Sequence, residues 1–209
     1  MHDLLRSLES LKKVPEVRDT IARRQSEFKA MGGRDASDVF CELCFCILTA
    51  NFNGERTLKM QDVIGKGFCT FDLQEMTLKL RELGYRFPNT RARYIHEAQQ
   101  KRDALENARR TIRPEFELRE WIVKNITGLG YKEASHFLRN IGYTDSAIID
   151  FHIVDLLERQ RYIERPKTLS KTRYLGIEGV LRAIGKRVGL NLSELDLYLW
   201  YMETGKILK

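Results

Sequence analysis

Residues 121–150, WIVKNITGLGYKEASHFLRNIGYTDSAIID, admit few structures. Trp121, Ile122 and Ile126 repeat at helical spacing. The pattern breaks at Thr127, Gly128, Leu129 and Gly130, then resumes with Ala134, Phe137, Leu138 and Ile141. Two glycines within three residues do not persist inside a helix; they permit positive φ and close backbone approach. The stretch therefore predicts a helix, a four-residue turn and a second helix, with small Ala134 letting the two cross closely. A loop ending in Asp150 follows.

This turn presents the N–H groups of Gly128, Leu129 and Gly130 at a helix N-terminus, which is an anion site. On a chain with net charge +7, a nucleic-acid phosphate is the natural anion. The competing reading is a plain helix turn with glycine at the C-cap. Lys132 falls in the first turn of the second helix, where the helix dipole disfavours a cation. That favours a neutral amine, which is a nucleophile. Asp150 precedes the run Phe151, Ile153, Val154, Leu156 and Leu157 and suits an N-cap. A cap also fixes the carboxylate's direction, so capping and catalysis are compatible.

The 209 residues suffice for one large domain or two small ones sharing a core. At 43% hydrophobic residues, the chain can bury one. No apolar run reaches membrane-spanning length. The start, MHDLLRSLESLKK, is amphipathic without a signal-peptide core, which predicts an intracellular protein. Cys41, Cys44 and Cys46 face different sides of one apolar helix and, with Cys69, are expected as buried thiols.

No β pattern or internal repeat is evident. Two helices meet near Pro15. Asp35 or Ser37 caps an apolar helix over 38–51, which should be central. One helix is expected over 55–70, and another from Asp72 to Gly84. A loop carrying Tyr85, Arg86, Phe87, Pro88 and Arg91 runs into a basic helix over 91–110. Such rings and guanidinium groups suit stacking and phosphate contact; otherwise Phe87 is core and the arginines are solvated. Pro114 opens the first hairpin helix. Beyond a basic loop at 159–173 lie a glycine-punctuated helix and a last helix capped by Ser193. Residues 204–209 would ordinarily be a frayed tail.

The hairpin with Lys132 and Asp150 resembles the helix-hairpin-helix DNA glycosylase superfamily, where a hairpin lysine and an aspartate about this far downstream form the active site. Monofunctional members lack the lysine, so the resemblance implies a bifunctional glycosylase with AP lyase activity. Across nearly all 209 residues the chain is most similar to compact archaeal 8-oxoguanine DNA glycosylases. The fold so implied is all-α, with two helical subdomains flanking a cleft. One joins 1–30 to 147–209; the other is 31–146, ending in the helix-hairpin-helix at 115–140.

The resemblance also implies site roles. Gly128, Leu129 and Gly130 grip the DNA backbone. Asn51 faces the gap left by the flipped base, unless it is only a helix C-cap. Phe87 is a wedge, with Arg86 or Arg91 on the opposite base. Lys209, the chain's last residue, reaches the damaged-base pocket, and Trp200 walls it. No catalytic metal or organic cofactor is implied, though turn carbonyls often hold a monovalent cation. Some superfamily members carry a four-cysteine iron–sulfur cluster near the C-terminus; with no cysteine after Cys69, none is expected here. The expected partner is double-stranded DNA containing 8-oxoguanine, met by a monomer in the cytoplasm or at the nucleoid. Two rivals remain: a glycosylase for another oxidised base, and a non-catalytic helix-hairpin-helix module. The first typically adds those cysteines; the second would bind DNA in a salt-dependent way without cutting it.

Overall fold

The computed structural model describes residues 3–209. Among these, every regular element is a helix; there are thirteen and no strand. Their buried apolar side chains form two clusters. The first is built around α3 (Ala36–Thr49), whose residues Val39–Thr49 are all buried. Asp35, rather than Ser37, caps it by accepting from the Ser37 and Asp38 amides. A helix apolar on every face must be enclosed on every face. Enclosing it are α4 (Gly54–Ile64), α5 (Gly67–Thr70), α6 (Leu73–Glu82), α7 (Pro88–Gln99), α8 (Arg102–Thr111), α9 (Glu115–Asn125) and α10 (Tyr131–Asn140).

The second cluster draws on both ends of the chain: α1 (Asp3–Leu11), α2 (Pro15–Gly32), α11 (Phe151–Arg159), α12 (Lys171–Val188) and α13 (Leu192–Thr204). Each fully buried leucine, isoleucine or phenylalanine contributes about 1.5–3 kcal/mol. Helix α2 touches α3, α10 and α13, so it bridges the clusters.

Four local expectations change. The single helix over 55–70 divides at Gly65, whose φ of +50° ends α4 before α5. The basic helix begins at Pro88 and divides at Gln100–Lys101, although neither glycine nor proline marks the break. There the Lys101 ammonium donates to the Asn125 carbonyl at the end of α9, while Leu105 and Ala108 of α8 turn into the core. The last helix is capped by Asn191 in a reciprocal box with Glu194. Ser193 is buried instead, sharing hydrogen bonds with Gln25 of α2. Phe151 stands 64% exposed, while Ile153, Val154, Leu156 and Leu157 are buried. Cys41, Cys44 and Cys46 are buried, Cys69 is half-buried, and all four thiols are free.

Candidate active site and DNA-contacting surface

Five residues, 126–130, separate α9 from α10, and Leu129 is buried among them as an anchor. Gly128 has φ +86°, and a Cβ there would stand 2.3 Å from the Tyr94 ring. The position therefore excludes side chains on two grounds. Gly130 caps α10 with no side chain on the opening amides, leaving them to an external acceptor.

Lys132 lies on the first turn of α10 with its side chain 28% exposed, 3.7 Å from Glu133 Oε1. Asp150 caps α11, its Oδ1 accepting from the Ile153 amide at 3.0 Å. The charges of both reach Asp196, a carboxyl on α13 with its side chain 13% exposed. Burial pushes Asp196 up to about 6; Arg139 opposes this, Asp150 adds to it and Lys132 opposes it. Lys132 and Asp150 thus act on the same buried group and share one region of the fold.

Two further groups adjoin it. His136, one turn beyond Lys132, packs edge-on to Phe45 with ring centroids 5.6 Å apart. Burial, with the charges of Arg139 and Lys132, holds its imidazole well below the usual range. Its Nε2 is sealed from solvent without a hydrogen-bond partner among the described residues. Lys209 is docked, not frayed. Its ammonium donates to Glu42 Oε2 at 2.9 Å and Gln61 Oε1 at 2.6 Å, and sits 4.5 Å above the Phe45 ring. Glu42, only 1% exposed, accepts from Asn140 Nδ2 at 2.7 Å. Trp200, half-buried on α13, meets His152 edge-on at 5.4 Å, and Phe151 lies 4.1 Å from that imidazole.

The remaining candidates lie on or beside two loops that are tied together. Asn51 is exposed with φ +58°, just past the α3 C-cap Ala50. Its loop is tied to the one before α7. Tyr85 donates to the Leu48 carbonyl at 2.8 Å, Phe52 lies 4.4 Å from Tyr85, and Arg56 donates to the Gly84 carbonyl. Phe87 is 43% exposed with the Arg86 guanidinium 4.8 Å over its ring. Arg91 is engaged internally: it donates to the Ala50 carbonyl at 2.9 Å and lies over Tyr94. Tyr94 in turn packs on Gly128. Packing thus runs unbroken from the Asn51 loop through Arg91 and Tyr94 to the hairpin turn.

Sequence reasoning missed Glu42, Gln61, Arg139, His136, His152 and Asp196. Glu42 and Arg139 interrupt otherwise apolar stretches, which was the available signal; their partners lie far along the chain. Among the described residues, no group of three or more histidine, cysteine, aspartate or glutamate side chains is placed to hold a metal ion. No described helix is long and apolar enough to cross a membrane.

A family model described as 8-oxoguanine DNA glycosylase matches residues 21–190. An 8-oxoguanine DNA glycosylase/AP lyase from Korarchaeum cryptofilum is 51% identical over 194 residues, 92% of this chain and 92% of its own length. The crystal structure of the Methanocaldococcus jannaschii 8-oxoguanine glycosylase/lyase in complex with 15mer DNA containing 8-oxoguanine has a TM-score of 0.95, at 49% identity over 99% of both chains. That of the 8-oxoguanine DNA glycosylase of Thermotoga maritima has a TM-score of 0.93, at 43% identity over 100% of both chains. With the match running through the hairpin, Lys132 and Asp150 alike, the chain belongs to the 8-oxoguanine DNA glycosylase family.

Proposed function

We propose that this protein excises 8-oxoguanine from double-stranded DNA through a lysine Schiff base and nicks the strand by β-elimination. The observation that carries this is a half-exposed Lys132 at an uncapped helix start, with Asp150 acting on the same α13 carboxyl, in a chain of this family.

The target base lies within a duplex and must be rotated out to be reached. The amides of Gly128, Leu129 and Gly130 hold the backbone beside it. Phe87, with Arg86, fills the vacated stack, and Asn51 lies alongside. Arg91 braces this loop from within. The extruded base enters between Trp200 and the docked C-terminus at Lys209. The Lys132 amine attacks C1′ of the sugar; the glycosidic electron pair leaves with the base, which takes up a proton. Asp150 stabilises the positive charge developing on the sugar and accepts the proton that Lys132 sheds. The sugar ring opens to a Schiff base, loss of a C2′ proton forms the alkene, and the 3′ phosphate departs.

No organic cofactor or catalytic metal enters this scheme. A monovalent cation, where bound, would be held by the turn carbonyls and would supply positive charge beside the DNA phosphate. The Ile126 carbonyl fits such a role, since it receives only a long 3.4 Å bond from the Leu129 amide. The enzyme acts as a monomer, in the cytoplasm or at the nucleoid.

Borohydride reduction during turnover tests the reading. Wild type should become covalently trapped on an 8-oxoguanine duplex, and Lys132→Gln should not. Trapping that persists undiminished in Lys132→Gln removes Lys132 from this role.

A further inference from the structure

Arg139 and Lys132 sit seven residues apart on α10 and so share a helix face. The Arg139 guanidinium leaves its own cluster: it lies 4.8 Å over the Phe28 ring of α2 and donates to Asp196 Oδ2 of α13 at 2.7 Å. It also donates to its neighbour Asn140, which holds Glu42. Asp196 precedes Trp200 by one helical turn. The side chains of Arg139 and Asp196 are 5% and 13% exposed, so water competes little for either.

Helix α10 buries its apolar face in the first cluster and α13 in the second. Apolar packing is non-directional, and the two clusters are separate. Helix α2 packs on both helices, and this ion pair adds a directional contact that joins α10 to α13 directly. Buried ion pairs add little net stability, and their best-attested use is to select one arrangement among several.

We propose that Arg139 and Asp196 are positioning residues that set the helix bearing Lys132 against the helix bearing Trp200, so that a captured base presents its sugar C1′ to the amine. This rests on the reading of Lys132 and Trp200 given above. Neither side chain of the pair takes part in bond making.

The two half-reactions separate the idea from a general structural role. Excision of 8-oxoguanine needs the base held by α13 while Lys132 reaches the sugar. Nicking a preformed abasic site needs only the second. Asp196→Asn weakens the pair and strands a buried guanidinium. Arg139→Met with Asp196→Leu removes both charges at similar volume, so it keeps the fold even if the single variant does not. For each variant that folds, single-turnover excision should fall on the order of 10²-fold, the effect of a misplacement of about 1 Å, and abasic nicking much less.

A pH series adds an independent readout. The charged groups facing Asp196 are Arg139 and Lys132 from α10 and Asp150 from the start of α11. Both reactions use Lys132 and Asp150, so their contributions are common to the two and drop out of the ratio of excision to nicking. Asp196, raised to about 6, loses its charge as pH falls through that value. The wild-type ratio should drop there, and the Asp196→Asn ratio should stay flat. Equal losses in both reactions, or unimpaired excision in the double variant, overturn the proposal while leaving the glycosylase reading intact. A wild type that fails to nick abasic DNA overturns the Schiff-base reading of Lys132, and this proposal with it.

Discussion

Glu42 anchors three contacts from one buried side chain. Its two oxygens accept from Gln61, from Asn140, 98 residues on, and from Lys209, 167 residues on. Such separations explain why Lys132 and Asp150 stood out in the sequence while Glu42, Arg139 and Asp196 did not. The first two belong to a local motif, whereas a buried charge within an apolar run gives no hint of a distant partner. Gly128 was legible for the same local reason, and its test is direct. Gly128→Ala forces a Cβ toward the Tyr94 ring at φ +86°, and should cost about 1–3 kcal/mol in thermal unfolding. It should also weaken binding to undamaged DNA. His136 supplies a pH prediction. Its folded-state value is depressed, so the stability it contributes is present above the unfolded value of about 6.5 and lost as pH falls below it. His136→Phe should flatten the decline in melting temperature between neutral and mildly acid pH, and an unchanged decline would assign the acid sensitivity elsewhere.

The hairpin pair, α9 and α10, was legible because glycine spacing and apolar periodicity agree there. The boundary at Gln100–Lys101 was not, because no glycine or proline marks it and the contact made there, Lys101 to the Asn125 carbonyl, joins residues far apart in the chain. The start of α13 was misplaced by two residues, since serine and asparagine are comparable caps and only packing decides between them. Asn191→Ala should therefore cost about 1 kcal/mol of stability. Ser193→Ala should act instead through the lost bonds to Gln25, so pairing it with Gln25→Ala should be clearly non-additive in denaturant unfolding. Additive losses would place Ser193 outside that contact.

At the scale of the molecule, two apolar clusters meet along polar contacts that also surround the candidate site. The C-terminus crosses this junction, from α13 in one cluster to Glu42 and Gln61 in the other. Removing Lys209 should leave the helices folded, as circular dichroism will report, and lower excision of 8-oxoguanine far more than nicking of abasic DNA. Equal effects on the two would make the terminus a fastening and nothing more. The central claim concerns the identity of one nitrogen. Mass mapping of the borohydride-reduced enzyme–DNA adduct after digestion locates the modified amine directly. The sugar remnant should be on Lys132; its presence on any other lysine, or on the N-terminal amine, would contradict the account.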